Sequence, residues 1–249
     1  MDYKTPPRRV RRHRSALSIF LTILIIAAVT VGVIAAGIYF SGIRYITSNT
    51  EDGLTIKYFG RVDKDGTLLT GKLYYSDGMT AEVDMQKNSI VYSNGDIYEG
   101  GISDLKKNGT GKIIYASGDV YEGEFVNDKL TGTGKYSFAN GDVYEGTLVD
   151  GMKNGEGKYT WADGSSYEGT YVNELKEGKG TYTFANGDVY TGDFKADVRT
   201  GEGKYTWANG EFYEGSFVDN KMSGKGKYTW PSGRVYEGTF ENGKIVKEE

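Results

Sequence analysis

Cysteine is absent from this 249-residue chain, histidine occurs once and proline occurs three times. Without cysteine the chain cannot form a disulfide framework, a thiol nucleophile or a cysteine metal site. The single histidine, His13, lies in the N-terminal tail, and so little proline argues against a disordered proline-rich chain. Glycine and tyrosine are abundant instead, with 37 and 21 residues. This composition indicates a folded chain of unusual construction.

Charge is absent from Ser15 to Ile43, and Leu17–Phe40 consists mainly of Leu, Ile, Val, Ala and Gly. A helix needs about 20 apolar residues to span the hydrocarbon core of a membrane. We therefore predict one transmembrane helix over residues 15–43, acting as a signal anchor. The alternative is a cleaved signal peptide, since Val33-Ile34-Ala35 offers small residues at a suitable spacing. The length of the apolar run favours the anchor.

The charges around this segment predict its orientation. Residues 1–14 carry six basic residues against one acidic residue, a net of +5 that leaves −9 for the rest of a chain whose formal charge is −4. A basic cluster before a membrane helix stays on the cytoplasmic side. We expect a single-pass cell-membrane protein with a basic cytoplasmic tail, a linker over 44–57 and an extracytoplasmic remainder. The cluster is a topology determinant rather than a nucleic-acid site, because the rest of the chain is acidic.

A tyrosine recurs every 23 residues from Tyr98 to Tyr236, and glycines follow it at offsets of 2, 11, 13 and 20 without exception through residue 235. Strict periodicity of this kind is typical of a repeat array, in which each unit covers its neighbour. We expect the array over 98–240, degenerate units over 58–97 and a charged C-terminal tail over 241–249. Such an array presents an extended surface rather than a pocket.

Each unit contains two β-prone runs, such as Val120–Val126 and Gly132–Phe138. We predict a five-residue connection over residues 127–131 and a type I′ turn at Asn140-Gly141, a strong hairpin signal. The predicted fold is all-β: an elongated, twisted antiparallel meander of tandem 23-residue hairpins, preceded by one N-terminal transmembrane helix.

The assumed turns predict which side chains share a face of the sheet. They pair Ser137 with Tyr144 and Glu122 with Tyr136, and they place Lys135 opposite Gly123. One face would then carry tyrosine, glycine and lysine, and the other would carry tyrosine, tryptophan and glutamate. Lysine stems would lie over glycines between aromatic rings.

The unit Y-E-G-x-[FLY]-x(6)-G-x-G-K-Y-x-[FW]-x(2)-G resembles the MORN repeat, strongly over Tyr98–Phe240 and weakly over Tyr58–Asp96. The resemblance implies an elongated twisted sheet of successive hairpins. It also implies membrane-associated scaffolding, self-association or targeting, and for some members binding of anionic phospholipids.

Two kinds of surface are candidates for binding. The first, for a protein partner or a second copy of the chain, comprises Tyr121, Tyr144, Tyr167, Tyr190, Tyr213, Phe125, Phe194, Phe217, Lys135, Lys158, Lys204 and Lys227. The second, for stacking on sugar rings of an envelope glycan, comprises Trp161, Trp207, Trp230, Tyr159, Tyr205 and Tyr228. Phospholipid binding is a third hypothesis. The net negative charge of the chain after residue 14 and the expected extracytoplasmic position of the array argue against it.

Catalysis is not expected from this sequence. An enzyme needs a local set of nucleophile, base or metal ligands that departs from the repeat, and none is visible. Asp119, Asp142 and Asp188 lie beside turns, but one carboxylate per turn is too few for a calcium cage. We expect no cofactor and no nucleic-acid partner. The sequence predicts a membrane-anchored, non-enzymatic scaffold for protein–protein interaction or self-association.

Overall fold

The structure of the chain is a computed structural model, and the residues that it describes are Leu24, 27–31, 33, 35–37, 41–50 and 53–246. Leu24 and the described residues between 27 and 37 are helical. Among the described residues, no helix is long and apolar enough to cross a membrane. The predicted basic tail over 1–14 and more than half of the predicted span over 15–43 lie outside the described residues, as do residues 247–249 of the C-terminal tail.

The described residues form one sheet of 19 strands. In chain order the strands are β1 Ile43–Asn49, β2 Thr55–Val62, β3 Leu68–Tyr75, β4 Thr80–Asp84, β5 Ser89–Tyr92, β6 Ile97–Ser103, β7 Lys106–Ile114, β8 Val120–Val126, β9 Lys129–Ser137, β10 Val143–Val149, β11 Met152–Thr160, β12 Ser166–Val172, β13 Leu175–Thr183, β14 Val189–Lys195, β15 Val198–Thr206, β16 Phe212–Val218, β17 Lys221–Thr229, β18 Val235–Glu241 and β19 Lys244–Ile245.

Every strand pairs antiparallel with its neighbour in the chain, from β1 with β2 to β18 with β19. The prediction of an antiparallel meander of hairpins is therefore confirmed. Residues 44–57, predicted to be a linker, contain most of β1 and the start of β2. The degenerate unit keeps the glycine pair of the array, since Gly60 lies opposite Gly71, and Ala81 is buried where the other units carry tyrosine.

The two turn types are the reverse of those predicted. Residues 127–131 are not a five-residue connection, because Asn127 and Asp128 alone join β8 to β9, with φ of 49° and 73°. Positive φ at both central residues is the requirement of a type I′ turn. Asn140-Gly141 instead lies inside a five-residue loop, in which the Phe138 N–H donates to the Asp142 carbonyl at 2.9 Å and the Gly141 N–H donates to the Phe138 carbonyl at 3.0 Å.

The exchange of turns, together with a two-residue register shift between Gly123 and Glu124, leaves both predicted registers one residue out. Tyr136 lies opposite Tyr121 and Tyr144, not opposite Glu122. Lys135 lies opposite Glu122 and Glu145, not opposite Gly123. Because side chains alternate along a strand, a one-residue shift moves a residue to the other face. The predicted partition, tyrosine with lysine against tryptophan with glutamate, is therefore wrong.

The core is a column of buried tyrosines, one per unit, that lie over paired glycines. Tyr144 is 1% exposed, and it covers Gly146 and Gly157, which lie opposite each other. A Cβ on Gly157 would stand 2.6 Å from the Tyr144 hydroxyl oxygen and 2.7 Å from a ring carbon. The Tyr144 hydroxyl donates to the Thr147 carbonyl at 2.8 Å, where the register shifts by two residues. Glycine is required there because the ring occupies the space of a side chain.

Candidate functional site

The observed register gives the sheet an aromatic face and a charged face. On the aromatic face lie the buried tyrosine column and the second tyrosine of each unit, for example Tyr121 opposite Tyr136. On the charged face lie glutamate and lysine, for example Glu122 opposite Lys135. Each face runs the length of the array, because every unit repeats the same pairing.

The eight aromatic residues of the first predicted surface are core residues. Tyr121, Tyr144, Tyr167, Tyr190 and Tyr213 are at most 1% exposed, and Phe125, Phe194 and Phe217 are at most 4% exposed. Rings of the two sets meet edge-to-face, as Tyr121 and Phe125 do with centroids 5.3 Å apart. A side chain buried in this way cannot contact a partner. The prediction that these rings form a binding surface is wrong.

The four lysines of that predicted surface lie on the opposite face, where each pairs with a glutamate of the next strand. The pairs and their Nζ–Oε distances are Lys135–Glu145 at 2.7 Å, Lys158–Glu168 at 3.9 Å, Lys204–Glu214 at 3.0 Å and Lys227–Glu237 at 3.4 Å. The Lys135 ammonium lowers the pKa of Glu145, and the Glu145 carboxylate raises the pKa of Lys135. These exposed pairs contribute little stability. They leave the charged face locally balanced.

The six residues predicted for glycan stacking belong to a continuous row of half-buried rings, which we call the aromatic ladder. Its members are Tyr115, Tyr136, Phe138, Tyr159, Trp161, Tyr182, Phe184, Tyr205, Trp207, Tyr228 and Trp230. Consecutive centroids lie 4.4 to 6.1 Å apart. Such distances are typical of interacting rings. The ladder is thus the long apolar surface of the array that remains open to contact.

Carboxylates beside the turns hold several tyrosines of the ladder in place. The Tyr159 hydroxyl donates to Asp142 at 2.7 Å, and the Tyr205 hydroxyl donates to Asp188 at 2.6 Å. The tyrosine hydroxyl lowers the pKa of Asp188, while burial and this carboxylate raise the pKa of Tyr205 to about 12. The other oxygen of Asp188 accepts the Ala208 N–H at 2.9 Å. These aspartates therefore fix ring orientation between successive units.

A basic side chain lies among the rings of most units, a feature that the sequence reasoning missed. The ammonium of Lys153 lies 5.9, 5.1 and 5.6 Å from the centroids of Tyr144, Tyr159 and Tyr171. It also lies 2.7 Å from Glu174, with the lysine side chain only 20% exposed. Cation–π attraction strengthens when the cation is shielded from water in this way. The arrangement is a cation cage built from the chain's own residues.

A second period in the sequence encodes these cages. A basic residue is followed 21 positions later by a polar acceptor in the pairs Lys107–Asp128, Lys153–Glu174, Lys176–Asp197 and Arg199–Asn220. Where the basic residue is replaced by Leu130 or Met222, the position 21 residues later is Gly151 or Gly243. The 21-residue spacing was the signal in the sequence that could have revealed the cages. Residues at this spacing lie in consecutive hairpin turns and are hydrogen-bonded to each other, as the Gly151 N–H is to the Leu130 carbonyl at 2.9 Å.

The arrangement offers binding groups along the aromatic face. Within the described part of the chain, no three histidine, cysteine or carboxylate side chains are placed to hold a metal ion. What the aromatic face offers is a row of apolar ring surfaces, edged by fixed carboxylates and shielded cations. Those groups suit a long, extended ligand.

Comparison with family models matches the MORN repeat seven times, at residues 98–120, 121–143, 144–166, 167–189, 190–212, 213–233 and 236–246. Comparison with curated proteins finds no similar sequence. Among solved structures, the chain is similar to the TCP domain of Drosophila melanogaster SAS-4 in complex with a proline-rich motif of Ana2, at 16% identity and a TM-score of 0.41, covering 69% of this chain and 90% of that one. It is also similar to a streptogramin B lyase, at 16% identity and a TM-score of 0.17, covering 80% and 69%.

Proposed function

The chain belongs to the MORN-repeat family, and we propose that it is a non-enzymatic scaffold that binds an extended protein segment along the aromatic ladder. The single observation that carries this proposal is the unbroken row of half-buried rings from Tyr115 to Trp230. Aromatic-lined grooves are a recurring means of holding extended peptides. The buried tyrosine column lies against the ladder on the same face, with the centroids of Tyr121 and Tyr136 6.2 Å apart, and takes no part in contact.

The spacing of the units suits such a ligand. One unit contributes two strands, and neighbouring strands lie about 4.8 Å apart, so the ladder advances by about 9.6 Å per unit. A polyproline II segment rises about 3.1 Å per residue and turns every three residues, which is about 9.3 Å per turn. Every third side chain of a bound segment would therefore meet an equivalent position on the next unit. A long ligand gains avidity from this matching period.

Glycan binding through the same rings is the second candidate. Half-burial of Trp161, Trp207 and Trp230 leaves part of each indole open for stacking on sugar rings. Neighbouring ladder rings are tilted, by 46° between Tyr159 and Trp161 for example, so the ladder does not form one flat platform. This tilt favours an adaptable peptide over a rigid polymer. Phospholipid binding ranks last, because glutamates neutralise the exposed lysines.

We further propose that the apolar run Leu17–Phe40 anchors the chain in the cell membrane by a single pass, with the repeat array outside the cytoplasm. The charge-free apolar run and the preceding basic cluster support this orientation. Resistance of the protein to extraction at high pH, together with digestion of the array by protease added outside intact cells, is the expected result. A mature chain beginning near Ala36 would instead identify a cleaved signal peptide.

The test of the scaffold is crosslinking of the full chain in its native membrane, with partners identified by mass. The variant replaces Trp161, Trp207 and Trp230 by leucine, which keeps apolar volume but removes the extended ring surface. The matched control replaces Lys135, Lys158 and Lys204 by glutamine on the charged face. We expect the tryptophan variant to lose partners and the lysine variant to keep them.

Two outcomes would contradict the scaffold. An unchanged partner set in the tryptophan variant removes the ladder as the binding surface, and loss of partners in the lysine variant moves it to the charged face. Intrinsic tryptophan fluorescence of the full chain, titrated with envelope polysaccharide, tests the second candidate. No change at saturating polysaccharide removes that candidate.

A further inference from the structure

The aromatic ladder ends at Tyr115, and a cavity of about 330 Å³ lies beside this end. Its walls include Tyr92, Tyr115, Ile113, Leu130 and Asp96, together with Tyr75. Tyr75 and Tyr92 contact each other with centroids 6.1 Å apart. The cavity therefore separates this tyrosine pair from the ladder, at the boundary between the degenerate units and the regular array.

The cavity exists because Ile113 occupies a position that is tyrosine in the following units. The equivalent residues, each 23 positions further on, are Tyr136, Tyr159, Tyr182, Tyr205 and Tyr228. Each of those tyrosines is a member of the ladder. Because residue 113 is isoleucine, the ladder stops at Tyr115, and the space that a tyrosine ring would fill remains open as the cavity. Ile113 itself is 5% exposed. A local departure from the repeat has thus opened a site that no other unit needs for packing.

Asp96 faces this space with capacity for a further donor. In a regular unit, Oδ2 of Asp142 accepts both the Asn140 amide at 3.2 Å and the Tyr159 hydroxyl at 2.7 Å. Oδ2 of Asp96 accepts the equivalent Asn94 amide at 2.9 Å. No tyrosine hydroxyl donates to Asp96 in the way that Tyr159 donates to Asp142, because the equivalent residue, 17 positions after Asp96, is Ile113.

The cation of the regular cage is missing here as well. In later units a basic residue lies near the aromatic ring that precedes it by 15 positions in the sequence. For example, the Lys176 ammonium lies 5.7 Å from the centroid of Trp161. The residue 15 positions after Tyr115 is Leu130, which carries no charge, and its partner position is Gly151. The cavity thus lacks a cation beside Tyr115, although Lys107 lies 5.1 Å from the centroid of Tyr92 on the opposite wall.

The basic side chains on the cavity wall are already paired, Lys107 with other residues of the wall and Lys129 with a residue outside it. Lys107 lies 3.1 Å from Asp128 and donates to the Tyr92 hydroxyl at 3.0 Å. Lys129 lies 3.6 Å from Asp150. Asp77 and Asp96 then leave the wall with an excess of negative charge. A cation entering the cavity would meet this charge and the rings together.

We propose that the cavity binds an ammonium or guanidinium group carried on an apolar stem, with the stem against Ile113 and Leu130 and the charge between Tyr115 and Asp96. The chain itself places Lys153, Lys176 and Arg199 among rings in three other units, with a carboxylate beside each of the two lysines, which sets the chemistry expected for the occupant. The source is either a basic side chain of a bound polypeptide or a free organic cation. The site does not depend on the role proposed for the ladder.

Ligand-observed NMR titration of the full chain tests the proposal, with butylguanidinium, butylammonium and the neutral isostere butylurea as probes. We expect both cations to bind at least tenfold more tightly than butylurea. Ile113→Tyr restores the ring of the regular units and fills the cavity, and it should abolish binding. Asp96→Asn keeps the cavity open and should weaken cation binding at least tenfold.

Asp142→Asn is the matched control, because Asp142 occupies the equivalent position in a regular unit, and it should leave binding unchanged. Equal binding of butylurea, or undiminished cation binding by Ile113→Tyr, would overturn the proposal. So would the absence of cation binding to the unaltered chain. A further arm compares the peptide acetyl-Ala-Pro-Ala-Arg-Ala-Pro-amide with its Gln analogue. Tighter binding of the arginine peptide than of butylguanidinium identifies a side chain as the source, and equal binding identifies a free cation.

Discussion

The contact between one tyrosine and two glycines is the smallest unit of order in this protein. Tyr144 lies over Gly146 and Gly157, and its ring takes the volume that any side chain at those positions would need. Glycine is costly in a strand, so its regular use across the sheet is explained by this close approach. The tyrosine hydroxyl then completes the contact by bonding to the backbone at the register shift.

Gly157→Ala is therefore expected to destabilise the array strongly for so small a change. The added methyl group would overlap the Tyr144 ring, and overpacking of this kind costs about 1 to 3 kcal/mol of unfolding free energy. Chemical denaturation monitored by circular dichroism measures it. Lys158→Ala, one residue further along β11 and on the charged face, is the control and should change stability by less than about 0.5 kcal/mol. Equal effects of the two would contradict the packing argument.

The bond from Tyr205 to Asp188 predicts a dependence of stability on pH. The hydroxyl holds the pKa of Asp188 below its ordinary value of 3.8. A carboxylate with a lowered folded-state pKa contributes stability above its unfolded-state pKa and loses it as pH falls through the folded-state pKa. The melting temperature of Tyr205→Phe should thus fall furthest below that of the unaltered chain near pH 7, with the gap narrowing below about pH 3.8. A gap that stays constant down to pH 2 would contradict this role.

At the scale of the hairpin, the two-residue turns decide how strands pair. Asn127-Asp128, Asn173-Glu174 and Asp219-Asn220 all adopt positive φ, a conformation that asparagine, aspartate and glycine tolerate better than other residues. Ala196-Asp197 adopts it too, with φ of 46° and 71°. Alanine has no polar side chain to stabilise such a conformation. This turn is therefore strained, as is Asp104-Leu105, in which Leu105 has a φ of 65°.

Ala196→Asn should relieve this strain and raise the unfolding free energy by about 0.5 to 1 kcal/mol. The reverse change, Asn173→Ala in the preceding hairpin, is the matched control and should lower it by a similar amount. Both are measured by denaturant titration. If Ala196→Asn lowers stability, the turn conformation is not the source of strain.

At the scale of the whole molecule, the array is a row of similar units in which each hairpin contacts its neighbours. Stability in such arrays is approximately a sum of unit and neighbour terms. Tyrosine–carboxylate bonds, caged cations and turn-to-turn backbone bonds all cross from one unit to the next. The break at Ile113 separates the regular ladder from the degenerate units, and it places the cavity at the boundary.

Deleting one complete unit, residues 144–166, joins Val143 to Tyr167 and keeps every side chain on its face. We expect a cooperatively folded array with a modestly lower melting temperature. Deleting 22 residues, 144–165, leaves one residue too many and places the following tyrosine on the wrong face. That variant should lose cooperative unfolding, as followed by circular dichroism and calorimetry. Equal stability of the two deletions would show that the array has no fixed register.

The sequence by itself determined the period and the all-β meander, because glycine and tyrosine recur at fixed offsets and mark each hairpin. It also revealed the family. It did not determine the full extent of the sheet, which begins at Ile43 and continues through Lys244–Ile245 in the predicted C-terminal tail. It did not determine which side chains share a face of the sheet. Strands such as Val120–Val126 carry apolar side chains on both faces, so two pairings that differ by one residue would each bury apolar side chains. Only the tertiary structure decided between them, because positive φ at Asn127 and Asp128 made that turn the shorter one. That choice buried the tyrosine column, set lysine against glutamate on the charged face and left the aromatic ladder open.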